Sequence, residues 1–295
     1  MVSAEFEEKE FEGPLYNQLE RKTNLLWSPG QCFEKYLGID RAINISDHEL
    51  WKVFGYDNPL CGVSLPFYNW DFIWNIRKKK KKLPSFKLNV FIQAKRPYYG
   101  NTPKKLNKFG VIGKCFRFDI TEHQQKALEK VAETINKRAL MIYASPLFIT
   151  NAQLYKHTKN NSMVENSTFP EISNMKGHKS WYYSTSKGIA CSEPKEINYK
   201  SIIERLEAYV QDNEPGYEDD ERYYLKSLAN SIVKALSSDD IPDMAESALF
   251  FDRINEINNF YKYYDFDNEL KEIFISFNTI RIFTQIFNLD WFVLG

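Results

Sequence analysis

Gln93, Ala94 and Lys95 close the stretch FKLNVFIQAK (86–95), where an apolar run gives way to residues that can do chemistry. A carboxamide two residues before a lysine, at the end of a hydrophobic strand, is one half of a metal-dependent phosphodiesterase site. The other half is a carboxylate, and Asp40 in IDRAINI (39–45) is the candidate. Hydrolysis of a phosphodiester needs hard cations, magnesium or manganese, to neutralise the charge that gathers on the phosphoryl oxygens, and such ions take oxygen ligands. Asp40 offers an anionic oxygen, Gln93 a side-chain oxygen and Ala94 its backbone carbonyl. Lys95 orients or deprotonates the attacking water, or holds the scissile phosphate. Glu34, a short way before Asp40, can face the same place, and Asp71 is a rival for the acid.

The elements that must position these groups follow from the pattern. Alternation puts Phe86, Leu88, Val90 and Ile92 on one face of a strand, with Gln93 and Lys95 on the other. Ser28 and Pro29 open a two-turn helix that carries Glu34 and stops at Gly38. Asp40 begins the strand that follows. Antiparallel pairing of 39–45 with 86–95 would lay the start of one beside the end of the other, so that Asp40 faces Gln93 and Lys95. The residues between, 46–85, read as an insertion rich in aromatics (LPFYNWDFIWNI) that ends in the run Lys78, Lys79, Lys80, Lys81 and Lys82.

Further along, FRFDI (116–120), a helix opening at Thr121 with Gln124 at capping-box spacing, and the apolar ALMIYAS (139–145) suggest a parallel strand–helix–strand crossover. The apolar stripe of that helix is Leu128, Val131, Ala132 and Ile135. NAQLYKHTK reads as a short helix, and GHKSWYYSTSKGIACS as a hairpin. From about Ile197 the composition turns helical, with helices expected at 202–210, 221–236, from the 239–242 region to about 264, and 268–287. The opening segment, to about Thr23, is helical with an interruption at Gly13-Pro14.

The order Glu34, Asp40, Gln93-x-Lys95, then a helix and a buried strand resembles the PD-(D/E)xK superfamily of restriction-endonuclease-like nucleases, in the variant with Gln before x-Lys. GIDRAI followed by VFIQAKRP is also similar to uncharacterised prokaryotic nuclease-like proteins, some linked to phage defence. The resemblance spans roughly residues 28–145 and implies an α/β fold, a restriction-endonuclease-like mixed sheet flanked by helices. It implies that Asp40, Gln93 and Lys95 take the metal and lysine positions, and Glu34 that of a helical glutamate. The chain departs from the family in lacking a Pro-Asp before the acid and in carrying the long insertion. The corresponding division is a nuclease-like domain at 1–197 and an acidic helical domain at 198–295.

The charge asymmetry points either to a polyanion-binding half or to a basic and an acidic surface that neutralise each other across an interface. Residues 201–295 hold 8 basic against 19 acidic side chains, a net of −11, so the first 200 carry the complementary +11. Lys78 to Lys82, Arg96, Lys104 and Lys105 are the candidates for DNA phosphates. No run approaches the roughly 18 apolar residues of a membrane span, and the acidic start lacks the order of a signal peptide, so a cytoplasmic protein with no membrane partner is expected. The four cysteines are scattered and suit reduced thiols. His123, His157 and His178 have structural explanations in capping or exposure, and neither GxSxG, a P-loop nor GxGxxG occurs. The expected activity is a magnesium-dependent DNA endonuclease acting as an oligomer or with a partner protein through the C-terminal helices. Two alternatives stay open: a binding scaffold without catalysis, and an RNA-directed nuclease.

Overall fold

A computed structural model describes residues 1–23, 26–27, 88–184, 188–197, 200–212, 221–238, 245–262 and 268–294. The chain divides into two units, Met1–Pro29 with Phe86–Gly295, and Gly30–Ser85. The second unit takes in the insertion expected at 46–85 together with Glu34, Asp40, Asp71 and Lys78 to Lys82, all of which lie outside the described residues. Both sheets among the described residues belong to the first unit.

The centre of that unit is a five-stranded sheet in the order β2–β11–β3–β6–β7, built from β2 (Leu26–Trp27), β3 (Leu88–Ala94), β6 (Ala139–Pro146), β7 (Ser167–Thr168) and β11 (Asp290–Leu294). All eight residues of β6 are buried, as a strand covered on both faces requires, and it runs parallel to β3 from Asn89↔Ala139 to Ala94↔Ala144. On the other side of β3 lies β11, antiparallel, from Asp290↔Ile92 to Leu294↔Leu88. Both edges of β3 are thereby occupied. The antiparallel neighbour of β3 among the described residues is the C-terminal strand, and residues 39–45, expected in that place, lie outside the described residues.

The two faces of β3 divide as alternation dictates. Val90, Ile92 and Ala94 pack against Phe6, Phe11, Leu15 and Leu19, which lie in and just before α1 (Glu8–Thr23). Burial of that stripe carries α1 through Gly13 and Pro14, where an interruption was expected. Phe91 turns the other way, onto Phe283 of α7 (Asn268–Ile286) and Trp291 of β11. Helices therefore cover both faces of the sheet.

A second sheet, antiparallel throughout, has the order β1–β4–β5–β8–β9–β10. It comprises β1 (Val2–Ser3), β4 (Tyr98–Asn101), β5 (Lys114–Asp119), β8 (Ser180–Tyr183), β9 (Gly188–Ala190) and β10 (Lys195–Glu196). The hairpin expected around 177–192 is β8–β9. Gly188 is required there, since a Cβ would lie 2.0 Å from the Trp181 ring. The parallel crossover is wider than expected. β5 pairs antiparallel with β4 and β8, and β3 is the parallel partner that α2 (Glu122–Ile135) joins to β6. At the start of α2 Thr121 makes no side-chain cap; Gln124 Nε2 reaches instead to the Phe287 carbonyl, 3.1 Å away.

The remaining helices are α3 (Asn151–Lys159), α4 (Ile202–Asp212), α5 (Glu221–Leu236), α6 (Ala245–Lys262) and α7. This is a mixed α/β fold with two sheets and a mostly helical C-terminal portion. That portion ends in β11, inside the central sheet, so backbone hydrogen bonds cross the division placed at residue 197 by composition. No described helix is long and apolar enough to cross a membrane.

Candidate active site at the end of strand β3

The end of β3 presents chemistry on both faces. On the face toward α2 and α7, Gln93 is 1% exposed; its Nε2 donates to the Phe287 carbonyl at 2.7 Å, and its Oε1 has no hydrogen-bond partner. A buried carbonyl oxygen left unpaired costs about 1–3 kcal/mol. Ala94 is fully buried within the ladder. Lys95 extends the pairing by one bond, its N–H donating to the Ala144 carbonyl at 2.8 Å, while its own carbonyl accepts from Ser145 Oγ at 2.8 Å.

The Lys95 side chain is half-buried, with Nζ 5.5 Å from the centroid of the Tyr143 ring. Burial lowers its pKa, and the charge of Glu8 opposes that shift. Tyr143 stands beside Gln93 in the parallel register and donates from its hydroxyl to Gln125 Oε1. Gln125 passes the order on, donating to Glu129 Oε1 at 2.7 Å and to the Ile172 carbonyl at 2.8 Å. Burial, and then the charge of Glu129, push the Tyr143 phenol up, so it is a neutral donor. Lys95 thus rests on a ring fixed from behind.

The face toward α1 carries acids. Asp290 opens β11 directly opposite Ile92, and Glu12 of α1 is 5% exposed. Lys9 Nζ meets Glu12 Oε2 at 2.6 Å and lies 4.0 Å from Asp290 Oδ2. Glu12 Oε1 has no hydrogen-bond partner, and the Tyr16 hydroxyl is buried beside Asp290. Burial raises the Glu12 pKa, Lys9 opposes the rise and Asp290 adds to it. Glu8 sits at the strand end, accepting from the Arg96 N–H at 3.0 Å and from Asn288 Nδ2 at 3.5 Å.

Of the residues expected to act, the structure therefore keeps Gln93, Ala94 and Lys95 together at one strand end. Glu34 and Asp40 fall outside the described residues. In the described part an aspartate at the start of an antiparallel neighbour is present as Asp290, and glutamates on a first helix as Glu8 and Glu12. Asp290 points to the face opposite Gln93, as pairing with Ile92 requires. No motif spacing marks these three, because they come from the two ends of the chain; the short apolar run WFVL after Asp290 was the available sign of a buried strand.

Arg96 is committed elsewhere. Its guanidinium donates to Glu7 Oε1 at 2.7 Å and to the Ala4 carbonyl at 3.1 Å from Nε, so it ties down the N-terminal segment. Lys104 and Lys105 are exposed at the start of a 3-10 turn, Lys104–Phe109. His123 pairs with Glu246 at 3.2 Å, His157 stacks on Phe148, and His178 accepts from the Ser192 N–H at 3.0 Å. Cys115 and Cys191 are free and buried. Among the described residues no three His, Cys, Asp or Glu side chains converge as a metal cage. No family model, curated protein or solved structure matches the chain.

Proposed function

We propose that this protein is a magnesium- or manganese-dependent DNA endonuclease of restriction-endonuclease-like type, with Gln93 and Lys95 in its active site. The observation that carries the reading is the pairing, on one strand end, of a buried carboxamide oxygen without a partner and a lysine ammonium whose neighbours are a ring and the more distant charge of Glu8. A buried polar atom without a partner, next to a lysine whose pKa burial lowers, marks a functional-site candidate. Support comes from the chain order α1, β3, α2 and β6, in which α2 joins the two parallel strands β3 and β6.

Gln93 Oε1 fits one neutral oxygen position of a hard cation. The metal, when bound, supplies charge neutralisation at the phosphoryl oxygens and a more acidic water. Gln93 is held in orientation by its bond to Phe287. Lys95 donates from Nζ to a non-bridging phosphate oxygen, and its lowered pKa brings it closer to exchanging a proton with the attacking water. Tyr143 keeps the lysine stem in place.

One observation favours a non-catalytic nucleic-acid-binding scaffold as the second reading. The Gln93 amide anchors the end of α7 to β3, which is a structural use of the same residue. Cleavage of linear and circular DNA with magnesium or manganese separates the two. Wild type is expected to cut, and Lys95→Ala and Gln93→Leu to lose at least about a hundredfold in rate, at equal folded concentration. Equal cutting by all three proteins would remove Gln93 and Lys95 from the chemistry. DNA binding without cutting would favour the scaffold.

A further inference from the structure

The connection between β4 and β5 is a pinned platform with an exposed tip. Leu106 and Val111 are buried against Tyr182, Ile189, Cys115 and Cys191, and the Thr102 N–H donates to the Gly113 carbonyl at 2.8 Å. Gly110 and Gly113 take the left-handed conformation, with φ of 78° and 85°, which side chains with a Cβ rarely adopt. Between them Ile112 is 76% exposed, the most exposed large apolar side chain among the described residues.

Lysines surround this tip. Lys104, Lys105, Lys108 and Lys114 are all exposed, and none pairs with a carboxylate among the described residues. Lys108 and Lys114 lie over the rings of Phe109 and Tyr99, at 5.0 and 5.8 Å from their centroids. The lysines along the outer face of α2 behave differently: Lys126, Lys176 and Lys179 meet Glu122, Glu133 and Glu122 at 3.4, 3.0 and 3.6 Å. Among the described residues the lysines of the β4–β5 connection have no carboxylate partner while those by α2 do, so the connection is complementary to a polyanion.

We propose that the connection between β4 and β5 binds single-stranded nucleic acid, with Lys104, Lys105, Lys108 and Lys114 on its phosphates and Ile112 against the face of a base. A lone aliphatic tip suits an unstacked base, which a single strand offers without the cost of opening a duplex. An anionic membrane is the weaker match, since its binding scales with buried apolar area and the apolar element here is one side chain. The inference deepens the nuclease reading by naming the surface that grips substrate, and rests on it only for the identity of the polyanion.

The test is fluorescence anisotropy of a labelled DNA single strand of about 20 nucleotides, titrated with full-length protein in EDTA over a range of salt. EDTA stops metal-dependent cleavage, so binding is read apart from catalysis. Replacing Lys104, Lys105, Lys108 and Lys114 together by Ala is expected to weaken binding at least about tenfold and to flatten the log–log salt slope by about 3, roughly 0.7 for each lysine. Ile112→Ser is expected to weaken binding about fivefold with the slope unchanged. All five side chains are exposed, and circular dichroism confirms that the variants fold. The proposal is overturned if wild type fails to bind the strand, if the four-lysine variant binds as wild type does, or if the protein binds phosphatidylserine vesicles in preference to the strand. Loss of cleavage with anisotropy intact would count against the nuclease reading alone.

Discussion

Lys95 occupies a place where its charge works against the fold. Burial lowers its pKa from the ordinary 10.5, which means that the folded state disfavours the ammonium and that the penalty is fully present below the lowered folded value. Stability on this account rises as pH climbs from the lowered folded value toward 10.5. Lys95→Met keeps the stem on Tyr143 and removes the charge, so it is expected to stabilise the protein at pH 7 by about 1 kcal/mol, roughly 2–4 °C in Tm, while activity is lost. Thermal melts of both proteins at neutral and alkaline pH check this, and the gap should narrow as pH rises. A less stable Lys95→Met at pH 7 would mean that the ammonium has a stronger partner than Glu8. The position of Gln93 and Lys95 on one face was legible in the alternation of 86–95, because a period of two needs no knowledge of neighbours. Glu8, Glu12 and Asp290 were not, since only the pairing of β3 with β11 brings them to this strand end.

At the scale of elements, α1 and β11 meet through a shortage of positive charge. Glu12 and Asp290 share Lys9, and Lys9 is 67% exposed, so water screens much of what it offers. The pKa of Glu12 is raised in the folded state. A raised carboxyl stabilises the fold below the unfolded value, about 4.3, and that contribution is lost as pH rises through the folded value. Glu12→Gln is therefore expected to stabilise by about 1 kcal/mol at pH 7 and to make little difference below about pH 4. Urea unfolding at both pH values decides it; a destabilised variant at pH 7 would show that the Lys9 pair outweighs the burial of the charge. Which elements could be read beforehand depends on the same division between local and remote causes. The bounds of α5, the β8–β9 hairpin and the buried β6 rest on local periodicity and agree with expectation. Thr121 forms no side-chain cap at α2, where Gln124 Nε2 donates to the Phe287 carbonyl, whereas Thr150 and Gln153 form a capping box at α3.

For the molecule as a whole, the decisive contact is between its middle and its end. Trp291 of β11 stacks on Phe91 at 6.3 Å, packs on Phe277 at 5.6 Å and donates from Nε1 to Asn89 Oδ1 at 2.8 Å. Asn89 is fully buried and its amide donates to the Arg138 carbonyl at 3.3 Å, so one polar pair joins the C-terminal strand, β3 and the entry to β6. Composition drew a boundary near residue 197 because charge changes there, but the sheet that closes across it is made by hydrogen bonds that composition does not encode. The portion around the central sheet and the C-terminal helices is expected to unfold in one transition, since β3 cannot keep both edges satisfied without β11. Trp291→Ala should destabilise this unit by about 3–5 kcal/mol, and Trp291→Phe, which keeps a ring but leaves Asn89 Oδ1 unpaired, by about 1–3 kcal/mol. Urea unfolding followed by tryptophan fluorescence and by far-ultraviolet circular dichroism gives the measurement. Coincident curves that shift together in both variants support a single sheet-centred unit, while a helical transition that stays in place as the fluorescence transition moves would restore an independent C-terminal domain.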